Sequence, residues 1–562
     1  MTIPQSSARP SRAGGQILVD QLKIHGADLA FCVPGESYLP VLDALYTNRD
    51  SIKLITCRHE SGAANMAEAY GKLTGKPGIC FVTRGPGATN ASIGVHTAFQ
   101  DSTPMILFIG QVGNDFVERE AFQEIDYRRM FGQMAKWVAQ IDRADRVPEF
   151  IARAYQVATS GRMGPVVLAL PEDMLSAMAD VPDARAWQRV ETSPHEAALM
   201  RLSRLLKSAQ APFVVVGGSG WNVEACADLQ HFIETQQLPV GCAFRFQDLF
   251  DNAHPNYAGD VGIGINPQLA ARIKAADLVV AIGPRLGEMT TSGYGLINAP
   301  IPAQQLVHIH AGAEELGRVY QADLMINATM PSMARALAMM PRVTGIGLEA
   351  AVIEANADYQ SWQARKETPG QVQMWDVMHA LEGVLPADTI LCNGAGNYAT
   401  WLHRFHRYRG FRTQLAPTSG AMGYGVPAAI AAKALYGDRT VIAFAGDGCF
   451  LMTGQELATA VQYQLNVIFI VVNNNMYGTI RMHQEREFPG HVYGTSLTNP
   501  DFAAYARAFG AHGELVENTA EFAPAFGRAV KSGKPALIEI RIDPEAISPN
   551  TTLQAIRAAA SK

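Results

Sequence analysis

The segment VIAFAGDGCFLMTGQELATAVQYQLNVIFIVVNNNMYG, from Val441 to Gly478, constrains the fold of this 562-residue chain most strongly. It reads as an apolar strand, a tight glycine turn, a helix and a second apolar strand, which predicts one βαβ unit. Because a right-handed crossover makes such strands parallel, Asp447 and Asn474 should lie at the same edge of the sheet. That edge is where ligands bind in open α/β sheets.

The residue types at this edge suit a divalent metal. Mg²⁺ prefers six oxygen ligands, shared among carboxylate, amide, carbonyl, water and phosphate. The Asp447 carboxylate, the Asn474 side-chain oxygen and the Met476 carbonyl can supply three of them. The pattern therefore predicts a metal site at these three residues.

The same turn also suits a phosphate. Gly446 and Gly448 allow the backbone to come close to a ligand, and a helix is expected to begin near Cys449. Its free N–H groups and the positive end of its dipole would point at an anion. We therefore expect a diphosphate held jointly by the metal and the helix N-terminus.

This segment resembles the thiamine diphosphate signature of the acetohydroxyacid synthase, pyruvate decarboxylase and benzaldehyde lyase superfamily. The resemblance runs from about Gly15 to Asp543 and is acetolactate synthase large-subunit-like. It implies thiamine diphosphate and Mg²⁺ as cofactors, with Asp447, Asn474 and Met476 as the metal ligands.

A second motif lies about 390 residues earlier, in LITCRHESGAANMAEAYGKLTG, from Leu54 to Gly75. Glu60 follows an apolar strand and precedes a helix of small residues. The segment is similar to the family motif in which this glutamate activates the cofactor, so the resemblance makes Glu60 the activator. Family architecture places the two motifs on different subunits, which implies a homodimer at minimum, and a homotetramer is expected.

Further segments match family loops. GPGATN (Gly85–Asn90) and AFQE (Ala121–Glu124) match first-domain motifs, with Gln123 near the reacting carbon, and Met422 matches the residue that bends the cofactor. The resemblance implies a set of cofactor-binding residues in the last third of the chain: Gly394, Asn397, Tyr398, Met422, Gly446, Asp447, Gly448, Cys449, Asn474, Met476, Tyr477 and Gly478.

Strand–helix alternation with glycine-rich strand ends recurs three times along the chain. This predicts an α/β protein of three doubly wound parallel-sheet domains. The expected organisation is a disordered lead-in (1–14), a pyrimidine-binding domain (15–185), a central domain (195–345), a diphosphate- and metal-binding domain (365–545) and a C-terminal tail (546–562).

Composition excludes several classes of function. The net charge of −6 and the lack of a Lys/Arg run argue against a nucleic-acid partner. No apolar stretch reaches the 18 or so residues of a membrane span, and the N-terminus lacks the apolar core of a signal peptide. The seven cysteines are scattered singly, as in a reduced cytoplasmic protein.

The sequence departs from acetohydroxyacid synthases where those enzymes receive a second 2-oxo acid. Met289 replaces the expected arginine, and His483 replaces the expected tryptophan. Ser37 replaces the histidine that benzaldehyde lyase carries near its first strand. The candidates for a substrate pocket are Ser37, His96, Phe122, Ile480, Arg481 and His483.

FAD binding is an open question in the central domain. GGSG (Gly217–Gly220) and Arg285 would suit FAD, but His310 and Gly312 replace the acidic ribose contacts of acetohydroxyacid synthases. An incomplete glycine pattern carries little weight alone.

The function expected from these features is decarboxylation of a pyruvate-like 2-oxo acid, followed by ligation of the resulting enamine to an aldehyde or ketone. Such an enzyme is a carboligase and decarboxylase, in the transferase or lyase class. Two alternatives remain: a lyase that cleaves 2-hydroxyketones or diketones, and a flavin-dependent 2-oxo acid oxidase.

Overall fold

Three parallel six-stranded sheets organise the chain, in a computed structural model that describes residues 11–345 and 347–561. The chain divides into two compact units, and the boundary along the sequence falls between Val190 and Glu191. The first unit contains one sheet and the second contains two. The predicted fold class, three α/β domains with doubly wound parallel sheets, is confirmed.

The first unit contains a sheet with the strand order β3-β2-β4-β5-β7-β6, and β1 pairs antiparallel with β8 at its periphery. Its strands are β1 Arg12–Ala13, β2 Leu29–Cys32, β3 Lys53–Thr56, β4 Gly78–Val82, β5 Met105–Gln111, β6 Trp137–Gln140, β7 Pro165–Pro171 and β8 Met178–Ala179. Its helices are α1 Gly14–Ile24, α2 Leu39–Thr47, α3 Glu60–Thr74, α4 Pro86–Asp101, α5 Tyr127–Phe131, α6 Val147–Thr159 and α7 Glu172–Ser176.

The predicted disordered lead-in, residues 1–14, lies mostly outside the described residues. Residues 12–14 are not disordered, because β1 pairs with β8 and α1 begins at Gly14. The Arg12 guanidinium also donates to the carboxylates of Asp20 and Asp183. These long-range contacts fix a stretch that looks like an unstructured lead-in when it is read locally.

The central sheet has the strand order β11-β10-β9-β12-β13-β14. Its strands are β9 Pro212–Val216, β10 Val240–Ala243, β11 Tyr257–Val261, β12 Leu278–Ile282, β13 Gln305–His310 and β14 Leu324–Asn327. The helices of this region are α8 Glu196–Ser208, α9 Val223–Gln236, α10 Pro267–Ala275, α11 Met330–Ala338 and α12 Leu348–Trp362.

The last sheet has the strand order β16-β15-β17-β18-β20-β19. Its strands are β15 Ile390–Asn393, β16 Gln414–Leu415, β17 Val441–Gly446, β18 Ile468–Asn473, β19 His512–Val516 and β20 Ala536–Arg541. Its helices are α13 Met374–Glu382, α14 Tyr398–Phe405, α15 Gly425–Leu435, α16 Asp447–Leu451, α17 Leu457–Gln462, α18 Gly478–Glu487, α19 Phe502–Ala508, α20 Thr519–Lys531 and α21 Leu553–Ala560.

The strand order places the ligand-binding edge of this last sheet. The chain runs outward from β15 to β16 and then returns to the other side of β15 as β17, so the strand order reverses between β15 and β17. Ligands of open α/β sheets bind at the carboxyl ends of the strands at such a reversal. Here β15 is followed by a loop that begins at Gly394, and β17 is followed by helix α16, which begins at Asp447.

The buried strands are almost entirely apolar, as expected for parallel sheets that are covered on both faces. β17 and β18 bury nearly every residue along their length. No helix in the described ranges is long and apolar enough to span a membrane. The seven cysteines are all free thiols, and six of them are buried.

Candidate functional site

The first element of the site is the adjacent ends of β17 and β18. The two strands are parallel, and Gly446 is paired with Val472. Asp447 and Asn474 therefore follow directly from neighbouring strand ends, as the sequence pattern predicts. Asp447 is buried, with 3% of its surface exposed, and Asn474 is partly buried.

The helix expected to begin near Cys449 begins two residues earlier, at Asp447, and it is short. The connection from β17 to β18 is also not one helix. It comprises α16, a 3-10 turn at Gly454–Glu456 and α17. Thr453 explains part of the break, because its hydroxyl donates to the Gly423 carbonyl of another loop and draws the chain away from a regular helix.

The Asp447 carboxylate is held by donors on both oxygens. The Gly448 N–H donates to Oδ1 at 2.9 Å, and the Asn499 side-chain amide donates to Oδ2 at 2.7 Å. Burial raises the pKa of Asp447, while these donors act in the opposite direction. Asn499 was not among the residues predicted from the sequence, because it lies 52 positions beyond Asp447 in a polar loop.

The loop after β18 is fixed by pairing with a distant segment. Asn475 has a positive φ of 55°, and its carbonyl accepts from the Leu497 N–H at 2.8 Å. The Tyr477 N–H donates to the Thr495 carbonyl at 2.9 Å, so Met476 lies opposite Ser496 in a single antiparallel bridge. The loop that would present the Met476 carbonyl is therefore rigidly held.

A cavity of about 250 Å³ lies at this edge of the last sheet. Eleven of the twelve predicted cofactor-binding residues line it, together with the predicted wall residue Ile480. The lining residues beyond the predicted set are Ala395, Gly396, Trp401, Gly420, Val472, Thr479, Ile542, Ala546 and Ile547. The predicted C-terminal tail, residues 546–562, thus begins inside the site.

Gly394 is the one predicted cofactor-binding residue that does not line the cavity. Its N–H donates to the Tyr398 hydroxyl at 3.0 Å, and its carbonyl accepts from the Asn393 amide and from Arg245 Nη1. Arg245 belongs to the central sheet region and reaches this loop from there. Gly394 supports the cavity wall from behind.

Three glycines of the site, at positions 394, 446 and 448, leave no room for a side chain. A Cβ on Gly446 would lie 2.8 Å from the Tyr398 ring, and one on Gly448 would lie 2.6 Å from the Tyr477 ring. A Cβ on Gly394 would lie 2.6 Å from Cys449 Sγ. Since Cβ contacts below 3 Å do not occur in relaxed structures, glycine is required for backbone and rings to approach each other here.

These residues fit a magnesium-bound diphosphate. One carboxylate, one carboxamide and one backbone carbonyl form a hard oxygen set that leaves ligand positions for phosphate and water. Asn499 Oδ1 is a buried oxygen beside this set, without a hydrogen-bond partner among the described residues. In the same described ranges no cluster of three or more His, Cys, Asp or Glu suits a metal, so the donors here do not resemble a zinc site.

The three pocket candidates on α18 lie in different places. Ile480 lines the cavity and is 55% exposed. Arg481 is buried and paired with the fully buried Glu485, and it does not line the cavity. His483 is exposed but does not line the cavity.

In the first unit, Glu60 begins α3 and is 9% exposed. The helix starts there because the His59 ring accepts from the Ser61 N–H, and it ends at Gly75 in a left-handed conformation. The Asn90 side-chain amide donates to Glu60 Oε2 at 2.9 Å. Asn90 lies in the GPGATN motif, so the motif indicated its region but not this contact.

Gln123 is held in a strained loop of the same unit. Its φ is +66°, and its buried Oε1 has no hydrogen-bond partner among the described residues. A Cβ on Gly85 would lie 2.9 Å from the Gln123 carbonyl oxygen, and Arg84 Nε donates to the Phe122 carbonyl at 3.0 Å. The Phe122 side chain is 73% exposed. Strain and an unsatisfied amide together are typical of a functional position.

Ser37 and His96 are placed differently. Ser37 is fully buried, its hydroxyl lies 2.9 Å from the Thr83 hydroxyl, and Gly110 packs directly against it. A histidine at position 37 would have no space. His96 is exposed on α4.

The glycines of the central sheet pack against each other at the reversal between β9 and β12. A Cβ on Gly218 would lie 2.0 Å from the Gly283 carbonyl oxygen. Arg285 pairs with the buried Glu315, and His310 Nδ1 accepts from the Gly312 N–H. These contacts account for the glycines and for Arg285 without a ligand, and FAD binding stays a prediction.

Three family models match the chain in order. They are the thiamine pyrophosphate enzyme N-terminal TPP binding domain over residues 12–130, the central domain over 199–337 and the C-terminal TPP binding domain over 394–540.

Curated relatives match over almost the whole chain. The acetolactate synthase isozyme 2 large subunit of Escherichia coli is 31% identical and covers 94% of this chain and 95% of its own length. The acetolactate synthase large subunits of Corynebacterium glutamicum and Parasynechococcus marenigrum are each 30% identical, covering 96% of this chain and 88% of their own lengths. The chain therefore belongs to the thiamine pyrophosphate enzyme family and is an acetolactate synthase-like enzyme that depends on thiamine diphosphate.

Proposed function

We propose that this enzyme uses thiamine diphosphate and Mg²⁺ to decarboxylate a pyruvate-like 2-oxo acid and to ligate the remaining fragment to an aldehyde or ketone. The observation that supports it best is the cavity at the ends of β17 and β18, where Asp447 and Asn474 project from neighbouring strands. Bound thiamine diphosphate supplies a carbon centre that stabilises negative charge at the substrate's carbonyl carbon.

The residues that line the cavity are assigned roles in binding the metal and the diphosphate. Asp447, Asn474 and the Met476 carbonyl would hold the metal, and the glycines at 446 and 448 would let the diphosphate approach the backbone. Burial raises the pKa of Tyr398 well above its ordinary value, so this phenol stays neutral. Its hydroxyl accepts from Gly394 and lies 3.3 Å from Cys449 Sγ, which braces the two loops.

Proton handling is assigned to Glu60. Its carboxylate is buried at the start of α3 and is held in one orientation by the Asn90 amide, so it can hold and release a proton at a fixed atom. Gln123 offers an amide oxygen whose hydrogen-bonding capacity is unused within the described chain. We assign it polar contact with the reacting substrate.

One wall of the cavity is apolar. Ile480, Ile542 and Ile547 line it alongside Met422 and Val472. A poorly solvated site disfavours a substrate carboxylate and thereby favours its loss as CO₂.

The charges of the side chains that line the cavity favour one class of second substrate. Asp447 is the only formally charged side chain among the residues that line the cavity. Arg481, the charged pocket candidate on α18, does not line the cavity and pairs instead with the buried Glu485. An uncharged aldehyde or ketone acceptor is therefore favoured over a second 2-oxo acid, which would lack a charge partner on this wall.

A lyase that cleaves 2-hydroxyketones or diketones is the second candidate, because the same uncharged wall suits substrates without a carboxylate. We further propose a homodimer as the minimum active unit and a homotetramer as the assembly, on the resemblance alone. A cytoplasmic location stays a prediction.

A product screen tests the proposal. The protein with thiamine diphosphate and Mg²⁺ is incubated with labelled 2-oxo acids and with aldehyde or ketone acceptors, and products are identified by NMR. Labelled CO₂ and a 2-hydroxyketone are expected. Turnover of benzoin-like ketones without release of CO₂ from any 2-oxo acid would favour the lyase.

Glu60→Gln serves as the mechanistic variant in this screen. It should lose about 100-fold or more of the turnover, because the amide cannot take up a proton, while metal-dependent cofactor binding is retained. Glu367→Gln, at an exposed surface glutamate, is the matched control. Full turnover by Glu60→Gln would refute the assigned role.

A further inference from the structure

Asn499 connects the ends of β17 and β18 through a single side chain. Its amide nitrogen lies 2.7 Å from Asp447 Oδ2, 2.9 Å from Asn473 Oδ1 and 3.2 Å from Asn475 Oδ1. It stands in the irregular stretch between α18 and α19, three residues before α19 begins. No sequence motif used above includes it.

The orientation of this amide is determined by its surroundings. Three oxygens surround the nitrogen, and only the NH₂ group can donate to them. A flipped amide would place an oxygen against three oxygens, one of them the Asp447 carboxylate. The two hydrogens serve the two shorter contacts, so Asp447 and Asn473 are held together.

The contact continues into the sheet. The Asn473 side-chain amide donates to Glu539 Oε1 at 2.8 Å, and Glu539 on β20 is fully buried. Glu539 Oε2 accepts from the Phe502 N–H, and Oε1 also accepts from Arg541 Nε. Because Phe502 begins α19, Glu539 anchors the same stretch that carries Asn499. Glu539, Asn473, Asn499 and Asp447 thus form one continuous polar chain.

We propose that Asn499 is a positioning residue that orients the Asp447 carboxylate and thereby sets the affinity and selectivity of the site for Mg²⁺. This inference rests on the proposed function, in which Asp447 is a metal ligand. With Gly448 on one oxygen and Asn499 on the other, the carboxylate cannot rotate. Groups that orient metal ligands commonly change metal affinity by about 10- to 100-fold when they are removed.

The expected selectivity follows from the different coordination geometries that Mg²⁺ and Ca²⁺ require. Mg²⁺ requires a nearly ideal octahedron with short bonds, whereas Ca²⁺ accepts longer and irregular ones. Loss of the Asn499 donor frees the Asp447 carboxylate to rotate, which penalises Mg²⁺ more than Ca²⁺. A general loss of folding would penalise both equally.

The experiment titrates each cation into metal-free protein with saturating thiamine diphosphate and follows tryptophan fluorescence, since Trp401 lines the cavity. Asn499→Ala should raise the half-saturating Mg²⁺ concentration about 10- to 100-fold and that of Ca²⁺ by about threefold.

Asn518→Ala is the matched control. It removes the N-cap of α20, a similar amide with no contact to Asp447, and should leave both cation titrations unchanged. If Asn499→Ala does not fold, Asn499→Ser carries the test. Its single hydroxyl donor should give a smaller shift, about 3- to 10-fold for Mg²⁺.

Two results would overturn the inference: Mg²⁺ affinity within about twofold of native in the folded Asn499 variant, or equal weakening of Mg²⁺ and Ca²⁺. Failure of the proposed function looks different, because then the native protein itself would show no metal-dependent binding of thiamine diphosphate.

Discussion

The strand ends at Asp447 and Asn474 and the helix α18 (Gly478–Glu487) lie next to each other, yet they present their residues to the cavity in different ways. Asp447, Asn474, Met476 and the flanking glycines all line the cavity. On α18, Arg481 is buried in an ion pair, and His483 is exposed and does not line the cavity.

The difference reflects the geometry of the two kinds of element. Parallel strands bring their carboxyl ends to one edge, so residues just after them converge whatever lies between. A helix turns by about 100° per residue, so neighbours along the chain face different directions. A motif at strand ends therefore predicts that its residues lie together in one site. A run of helix residues predicts only that some of them line the cavity.

The largest effect is expected from a substitution at the end of β17. Asp447→Asn should weaken metal-dependent binding of thiamine diphosphate by about 100-fold or more, because the site loses its only formal negative charge. Fluorescence titration with Mg²⁺ measures it. Asp501→Asn is the control, since asparagine caps α19 as well as aspartate does. Unchanged Mg²⁺ affinity in Asp447→Asn would remove the metal site from this region.

The next largest effect is expected from breaking the ion pair that holds α18 in place. Glu485 is fully buried and accepts two hydrogen bonds from Arg557 on α21, while also pairing with Arg481. Glu485→Gln should lower the free energy of unfolding by about 3 kcal/mol at neutral pH, as expected when one partner of a buried pair is removed. Urea unfolding measures it, with the exposed Glu149→Gln as control.

The same variant has a pH signature. Hydrogen bonding from Arg557 lowers the pKa of Glu485 to about 2, against an ordinary value of 4.5. Its contribution is thus fully present above pH 4.5 and is lost as the pH falls toward 2. The difference in melting temperature between native and variant should shrink between pH 7 and pH 3.5. A constant difference would contradict the ion pair.

A steric change at the strand ends should have a moderate effect. Gly446→Ala places a Cβ 2.8 Å from the Tyr398 ring and forces that ring to move. We expect roughly tenfold weaker binding of thiamine diphosphate, consistent with overpacking costs of about 1–3 kcal/mol. Isothermal calorimetry measures the affinity. Gly437→Ala, with no neighbouring atom within 4 Å, should change nothing.

The smallest effects are expected at two exposed positions on α18, one that lines the cavity and one that does not. Ile480→Ala trims a cavity wall and should lower kcat/KM for the substrate by about 3- to 10-fold, with cofactor affinity unchanged. His483→Ala, outside the lining residues, should stay within about twofold. The reverse order in steady-state kinetics would mean that the substrate contacts the helix farther along its length than the cavity wall.

Much of the fold could be read from local patterns. The apolar strand predicted at the start of the segment from Val441 to Gly478 is confirmed as β17, because a buried parallel strand is continuously apolar and a glycine turn ends it. The interrupted connection after β17 could not be read this way, since its break depends on a contact between Thr453 and the distant Gly423. The order of residues 12–14 likewise depends on a pairing with residues 178–179.

The sequence by itself determined which residues stand at the carboxyl ends of β17 and β18 and that Glu60 begins a helix. Those features depend on strand polarity and helix capping, which are local. Only the tertiary structure decided that Asn499 and Asn90 reach Asp447 and Glu60, that Arg481 pairs with the buried Glu485, and that Gly394 supports the cavity from behind. Each of these contacts depends on how separate elements pack, or on how one helix is rotated. Spacing along the chain does not encode the direction of a side chain across such an interface.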